Sequence, residues 1–104
     1  MGTISEHSVV VANPNRVSCD LSGELAILNV DNGVYYGLDS IGARVWEWIQ
    51  TPKKVGEILD ALLEDYAVEP DRCKHDLWLL LEKLSTNGLV QIKNENFEEG
   101  LKRT

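Results

Sequence analysis

The sequence predicts an α+β fold, a three-stranded antiparallel sheet followed by three helices. Three observations predict it. β-Branched and alternating apolar runs occupy the chain up to Leu38, and beyond Leu38 the apolar period lengthens from two to about three and a half residues. Asp31-Asn32-Gly33 and Asn87-Gly88 supply the residues that tolerate positive φ where a hairpin and a helix end are needed.

The first strand is Val9-Val10-Val11, ended by Asn13-Pro14-Asn15, where proline and two asparagines favour a turn. Leu25 to Val30 and Val34 to Leu38 form the second and third strands, joined as a hairpin through Asp31-Asn32-Gly33. Gly37 weakens a strand interior, so it marks a bulge, a close approach of another backbone, or simply the strand's end. Asp39 or Ser40 caps the first helix, whose apolar positions are Ile41, Val45, Trp48 and Ile49, with Trp46 widening the stripe and Thr51-Pro52 closing it. In the second helix Val55, Ile58, Leu59, Leu62, Leu63 and Tyr66 fall at the spacing of one buried face. The third helix opens near Pro70, suited to a first helical turn, and stops at Asn87-Gly88, with Leu89 folding back. Leu89 to Ile92 adds a short extended segment. Residues 1–92 make one domain, and 93–104 a polar tail.

Composition bounds the function. A chain of 104 residues builds one core and has no second domain to close a cleft against. A 43% hydrophobic and 26% charged composition is that of a folded globular protein. The net charge of −7 and pI near 4.7 repel a phosphate backbone, which argues against nucleic acid as the ligand. The longest apolar run, Leu77 to Leu81, is far short of the roughly 20 residues of a membrane span, and the first residues lack a basic region followed by an apolar core. The expected location is cytoplasmic, with no membrane partner. Cys19 and Cys73 lack CxxC spacing and read as two free thiols, so neither a disulfide nor a metal site is expected.

No feature calls for catalysis or a cofactor. His75 stands two residues from Cys73, a spacing that does not share a helical face, and Asp71 and His75 at i, i+4 read as a surface pair. A phosphate loop, an HExxH motif and a nucleophile elbow are all missing from the sequence. What the chain does offer is an extended aromatic segment set directly beside helical scaffolding, Asn32 through Trp46. The third helix is also apolar nearly all round: Cys73, Leu77, Leu80, Leu81 and Leu84 make its core stripe, while Trp78 and Leu79 fall outside it. Either the rest of the domain or a second copy covers that surface, or it is a groove for a partner's apolar side chains. An open strand edge beside such a helix suits β-strand addition, so the residues point to a peptide-binding module.

Taken in order, Tyr35-Tyr36-Gly37-Leu38-Asp39-Ser40-Ile41-Gly42-Ala43-Arg44-Val45-Trp46, then Val55-Gly56-Glu57-Ile58, Asp76-Leu77 and Gly88-Leu89-Val90, the chain resembles the PqqD family. Its members are recognition elements for the leader peptides of ribosomally made natural products. Tyr35 to Asp39, together with Ala67-Val68-Glu69-Pro70-Asp71-Arg72-Cys73, is most similar to the stand-alone leader-binding subunit of lasso peptide pathways. The resemblance implies a small winged helix-turn-helix-like domain without catalysis or cofactor. It implies a precursor leader peptide held as an added antiparallel strand against the third strand, in a cleft bounded by the third helix. Val34, Tyr35, Tyr36 and Gly37 would pair with the leader. Cys73, Asp76, Leu77 and Leu80 would form the helical wall, with Leu77 and Leu80 as apolar contacts and Asp76 accepting a hydrogen bond or meeting a cation.

The implied partners are a papain-like leader peptidase and an ATP-dependent cyclase. An open strand edge also invites a homodimer. The chain departs from the family pattern at Lys54, where threonine is usual: an ammonium cannot accept from the helix's free amides, so a capping box with Glu57 is not expected. Trp48 stands where an aliphatic residue is more usual. Two other readings follow the same outline. A peptide chaperone for a radical-SAM maturase is the first. The second is an acidic winged-helix DNA-binding or regulatory protein, which is opposed by Asp71, Asp76 and Glu82 set among Arg72, Lys74 and Lys83 on the third helix.

Overall fold

The computed structural model describes residues 4–22 and 24–94. The elements in chain order are β1 (Ser8–Ala12), β2 (Arg16–Leu21), β3 (Glu24–Asn29), β4 (Val34–Leu38), α1 (Ser40–Trp48), β5 (Lys53–Lys54), α2 (Val55–Asp65), α3 (Pro70–Thr86) and β6 (Val90–Asn94). The α+β class and the three helices are as the sequence predicts. The sheet is not one but two, both antiparallel and three-stranded, in the orders β5-β1-β6 and β2-β3-β4.

The difference lies in which strand joins the hairpin. The hairpin Glu24–Leu38 takes its third strand from β2, which pairs with β3 from Arg16↔Asn29 to Leu21↔Glu24. β1 instead runs between β5 and β6, with Val10 opposite Lys53 on one side and Ile92 on the other. β6 extends to Asn94, two residues into what the sequence presents as tail; residues 95–104 lie outside the described residues. The hairpin turn is as expected: Gly33, at φ 73°, donates its amide to Asn29 at 2.8 Å, and Asn32 Oδ1 accepts from Val34 N at 2.9 Å.

In α1, Asp39 is the cap, its carboxylate accepting from Gly42 N at 2.8 Å. The helix ends at Trp48, short of Thr51-Pro52, and its buried side is Gly42, Val45 and Trp46, followed by Ile49. Ile41, expected in the core, is exposed, and Trp48 is half-buried. α2 buries Val55, Ile58, Leu59 and Leu62, while Leu63 and Tyr66 pack at the margin. At its start Glu57 Oε1 accepts from Lys54 N at 3.1 Å, so one arm of a capping box forms; the Lys54 ammonium has no lone pair for the other.

α3 carries Pro70 in its first turn and closes on Gly88, at φ 71°. Gly88 N donates to Ser85 O at 3.1 Å and Leu89 N to Leu84 O at 2.9 Å, the paired bonds of a Schellman motif that folds Leu89 into the core. Five successive apolar residues of α3 meet four surroundings. Leu77 and Leu81 are core, and Trp78 lies under the N-terminal segment, donating Nε1–H to Ile4 O at 2.9 Å. Leu79 is 52% exposed, and Leu80 is half-buried. Val10, Ile27, Val45, Ile58 and Leu84, all at 2% exposure or less, join both sheets and all three helices in one core.

Candidate functional site

β4 is an edge strand, bonded to β3 on one side only. Its side chains alternate as the pleat requires. Leu38 is buried and Tyr36 half-buried against the core, whereas Tyr35 is 66% exposed on the outer face. Gly37 pairs with Ala26 in unbroken register, so it is not a bulge, and a Cβ built on it would meet nothing within 4 Å. The backbone there is open to another chain.

Where β4 runs into α1 a pocket opens, with a volume of about 490 Å³. Ile41, Gly42 and Val45 of α1, Leu62 and Tyr66 at the end of α2, and Cys73, Leu77 and Leu80 of α3 form its apolar lining. Asp39, Glu69, Arg72 and Asp76 bring charge to it. The sequence forms this cavity through small and capping residues. Gly42 has no side chain to fill the space above α1, where a Cβ would already press on Leu38 Cβ at 3.2 Å. The loop between α2 and α3 carries Val68, 41% exposed, to the rim.

Of the residues singled out from sequence, Cys73, Asp76, Leu77 and Leu80 come together on this pocket. Val34, Tyr35, Tyr36 and Gly37 do not line it; they form the open edge that leads to it. The sequence reasoning missed Asp39, Ile41, Tyr66, Glu69 and Arg72. Ile41 carries no separate signal in the sequence, since its spacing matches that of the core positions of α1.

The electrostatics suit holding a chain more than reacting with it. Arg72 Nε lies 4.0 Å from Asp76 Oδ2, both side chains more than 60% exposed, a pair that contributes little in water. Cys19 and Cys73 are free thiols, the first exposed and the second buried. Burial, and next the Asp76 carboxylate, push the Cys73 thiol above its ordinary pKa, which keeps it protonated and a poor nucleophile at neutral pH. Among the described residues no three His, Cys, Asp or Glu are grouped to hold a metal ion, and no helix is long and apolar enough to cross a membrane.

The pocket and the strand edge are linked through α3. At one end of β4, Asp39 and the first turns of α3 share the pocket. At the other end, Asn29, which pairs with Val34, donates Nδ2–H to Asn87 O just past α3 at 3.3 Å. β4 spans the interval between these two points, so an extended chain laid on its edge would pass along α3.

The family model of coenzyme PQQ synthesis protein D (PqqD) matches residues 24–90, from β3 to the first residue of β6. Among solved structures, TbiB1 in complex with the TbiA(beta) leader peptide is 30% identical, with a TM-score of 0.71 over 78% of this chain and 94% of that one. Lasso peptide synthetase B1 complexed with the leader peptide, at 18% identity, shares the fold, with a TM-score of 0.69 over 79% of this chain and 96% of that one. No curated protein matches the chain. With the family match covering well over half of its length, and the TbiB1 likeness nearly all of that protein, the chain belongs to the PqqD family.

Proposed function

We propose that this protein binds the leader segment of a ribosomally made precursor peptide, of the lasso class, and performs no bond chemistry itself. The observation that carries the reading is the open edge of β4 leading into the apolar pocket walled by α3. Backbone bonds to Val34, Tyr35, Tyr36 and Gly37 supply affinity whatever the sequence, and the pocket supplies selectivity for a side chain. Leu77 and Leu80 give apolar contact, Cys73 closes the floor, and Asp76 accepts a hydrogen bond or meets a cation at the rim. The relation to TbiB1, solved with a leader peptide, supports this assignment.

In this reading the subunit presents the tethered precursor to a papain-like leader peptidase and then to an ATP-dependent cyclase, raising the local substrate concentration at each. The protein works in the cytoplasm, and its open edge also permits a homodimer when no leader is bound. A role beside a radical-SAM maturase has one observation in its favour, the family's own description as a coenzyme PQQ synthesis protein.

The test is a titration of isotope-labelled protein with the leader peptide encoded by the nearest short precursor gene, followed by amide chemical shifts. Saturable shifts at Val34 to Leu38 and along α3 are expected. Leader binding that leaves those amides unmoved would remove the strand-addition mode, and a leader from a radical-SAM pathway that binds more tightly would favour the second reading.

A further inference from the structure

The β2-β3-β4 sheet, which carries one wall of the groove, is tied to α3, which carries the other, by hydrogen bonds concentrated at one place. Arg16 of β2 turns its guanidinium onto the carbonyl of Gly88, just past the end of α3, with Nε at 3.1 Å and Nη2 at 2.6 Å. Asn13 Nδ2 donates to the same oxygen at 2.9 Å, and Asn29 Nδ2 donates to the neighbouring Asn87 O. The Arg16 side chain is only 8% exposed. Its remaining donor, Nη1, satisfies Pro14 O at 3.0 Å and Asn15 O at 3.1 Å, and reaches Asp31 at 3.4 Å in the hairpin turn.

A buried cation with carbonyl partners at the C-terminal end of a helix meets the negative end of the helix dipole. Ile27 and Leu38 also seat the sheet in the core, and a second, backbone attachment is the passage of β4 through Asp39 into α1. That passage and the Arg16 contact sit at opposite ends of β4. The Arg16 contact therefore bears on the spacing at the end of β4 far from Asp39.

We propose that Arg16 is a positioning residue for peptide binding: it sets the spacing between the β4 edge and α3 without touching the bound chain. The inference rests on the leader-binding reading. It also lies outside residues 24–90, the span that the family model matches. With the guanidinium gone, Gly88 O keeps Asn13 and Asn87 O keeps Asn29, but the sheet loses its closest bonds to the end of α3 and its spacing from the helix loosens. A bound peptide then has to hold the walls together itself, and the cost appears as faster dissociation.

The experiment compares the unsubstituted protein with Arg16→Met, which keeps the apolar stem, and Arg16→Lys, which keeps the charge and one donor. Fluorescence anisotropy and stopped flow with the same leader peptide give affinity and rates. Spin labels on Cys19 and at position 79 of Leu79→Cys, in a Cys73→Ala background, report the distance between sheet and helix without peptide. Arg16→Met is expected to bind roughly tenfold more weakly, mostly through dissociation, and to broaden the distance distribution, with Arg16→Lys between the two. Arg16→Lys carries the test alone if Arg16→Met does not fold. A folded variant with an unchanged distance distribution overturns the proposal, and so does weaker binding without any change in that distribution. If the unsubstituted protein does not bind the leader, the leader-binding reading fails. If it binds and the Arg16 variants bind equally well, the positioning role alone fails.

Discussion

Leu79, Leu80 and Leu81 are consecutive residues of α3 in three different surroundings, and truncating each to alanine separates binding from folding. Leu81 is fully buried, so Leu81→Ala leaves a cavity in the core and should cost about 2–5 kcal/mol of stability. Leu79 is 52% exposed and does not line the pocket, so Leu79→Ala should change stability by less than about 0.5 kcal/mol and binding not at all.

Leu80 lies between these cases, half-buried with its free side in the pocket. Burying a whole leucine is worth about 1.5–3 kcal/mol, so the half already covered accounts for roughly 1 kcal/mol of stability. The half that a peptide would cover accounts for a similar amount of binding, about fivefold in Kd. Leu80→Asp should go further. It sets a carboxylate one helical turn from Asp76 in an apolar groove, and about 2–3 kcal/mol of binding should be lost. Chemical denaturation and anisotropy with a labelled leader peptide measure the two quantities on the same samples. Equal binding by the Leu80 and Leu79 variants, or a stability loss at Leu80 matching that at Leu81, would refute the assignment of this helix face.

Proline in β4 tests strand addition: of Tyr35→Pro and Tyr36→Pro, the one whose amide points away from β3 should stay folded and lose about 1 kcal/mol of leader binding in anisotropy, while the other loses a ladder bond and is destabilised in a thermal melt. Gly88→Ala forces a side chain into a left-handed conformation at φ 71° and should cost about 1–2 kcal/mol in urea denaturation. Asp39→Ala removes the cap of α1 and a charged residue of the pocket together, so a loss of about 0.5–2 kcal/mol in stability should come with an altered leader affinity. The raised Cys73 thiol predicts that alkylation modifies Cys19 first, as mass spectrometry would show. Its pKa is higher folded than unfolded, so in the alkaline range the unfolded chain loses this proton first. The thiol's contribution to stability is therefore complete below the ordinary thiol pKa and is lost as pH rises through the folded value, whereas Cys73→Ala should not show this component of the alkaline loss in pH-dependent melts.

The elements legible in the sequence are those whose signals are local. α2 shows its buried face at helical spacing, Asn32-Gly33 its turn, and Gly88 its cap, because each depends on residues within a turn or two. β2 escaped for the opposite reason. Its alternation of Val17, Cys19 and Leu21 with Arg16, Ser18 and Asp20 is real, but nearly the whole strand is exposed, so period two does not mark a core face. With β2 unmarked, the sequence presents β1 as the hairpin's third strand, whereas its true partners, β5 and β6, are remote in sequence. The helical wall of the pocket is legible in Cys73, Asp76, Leu77 and Leu80 because one helix face holds all four. Asp39, Tyr66 and Arg72 join it only through tertiary packing, and only the fold places Arg16 on Gly88.

The direction of β4 has a consequence for the order of events along a bound precursor. β4 runs from the Asn32-Gly33 turn toward the pocket at Asp39. A strand added antiparallel to it begins at the pocket and ends at the turn. In the proposed complex, a side chain filling the pocket would therefore precede the strand-paired residues of the leader. The segment to be processed, which follows the leader, would emerge beside Asn32 and the hydrogen-bonded end of α3. A catalyst acting on that segment would approach this tip of the molecule, and the pocket end would remain free to hold the substrate through every step.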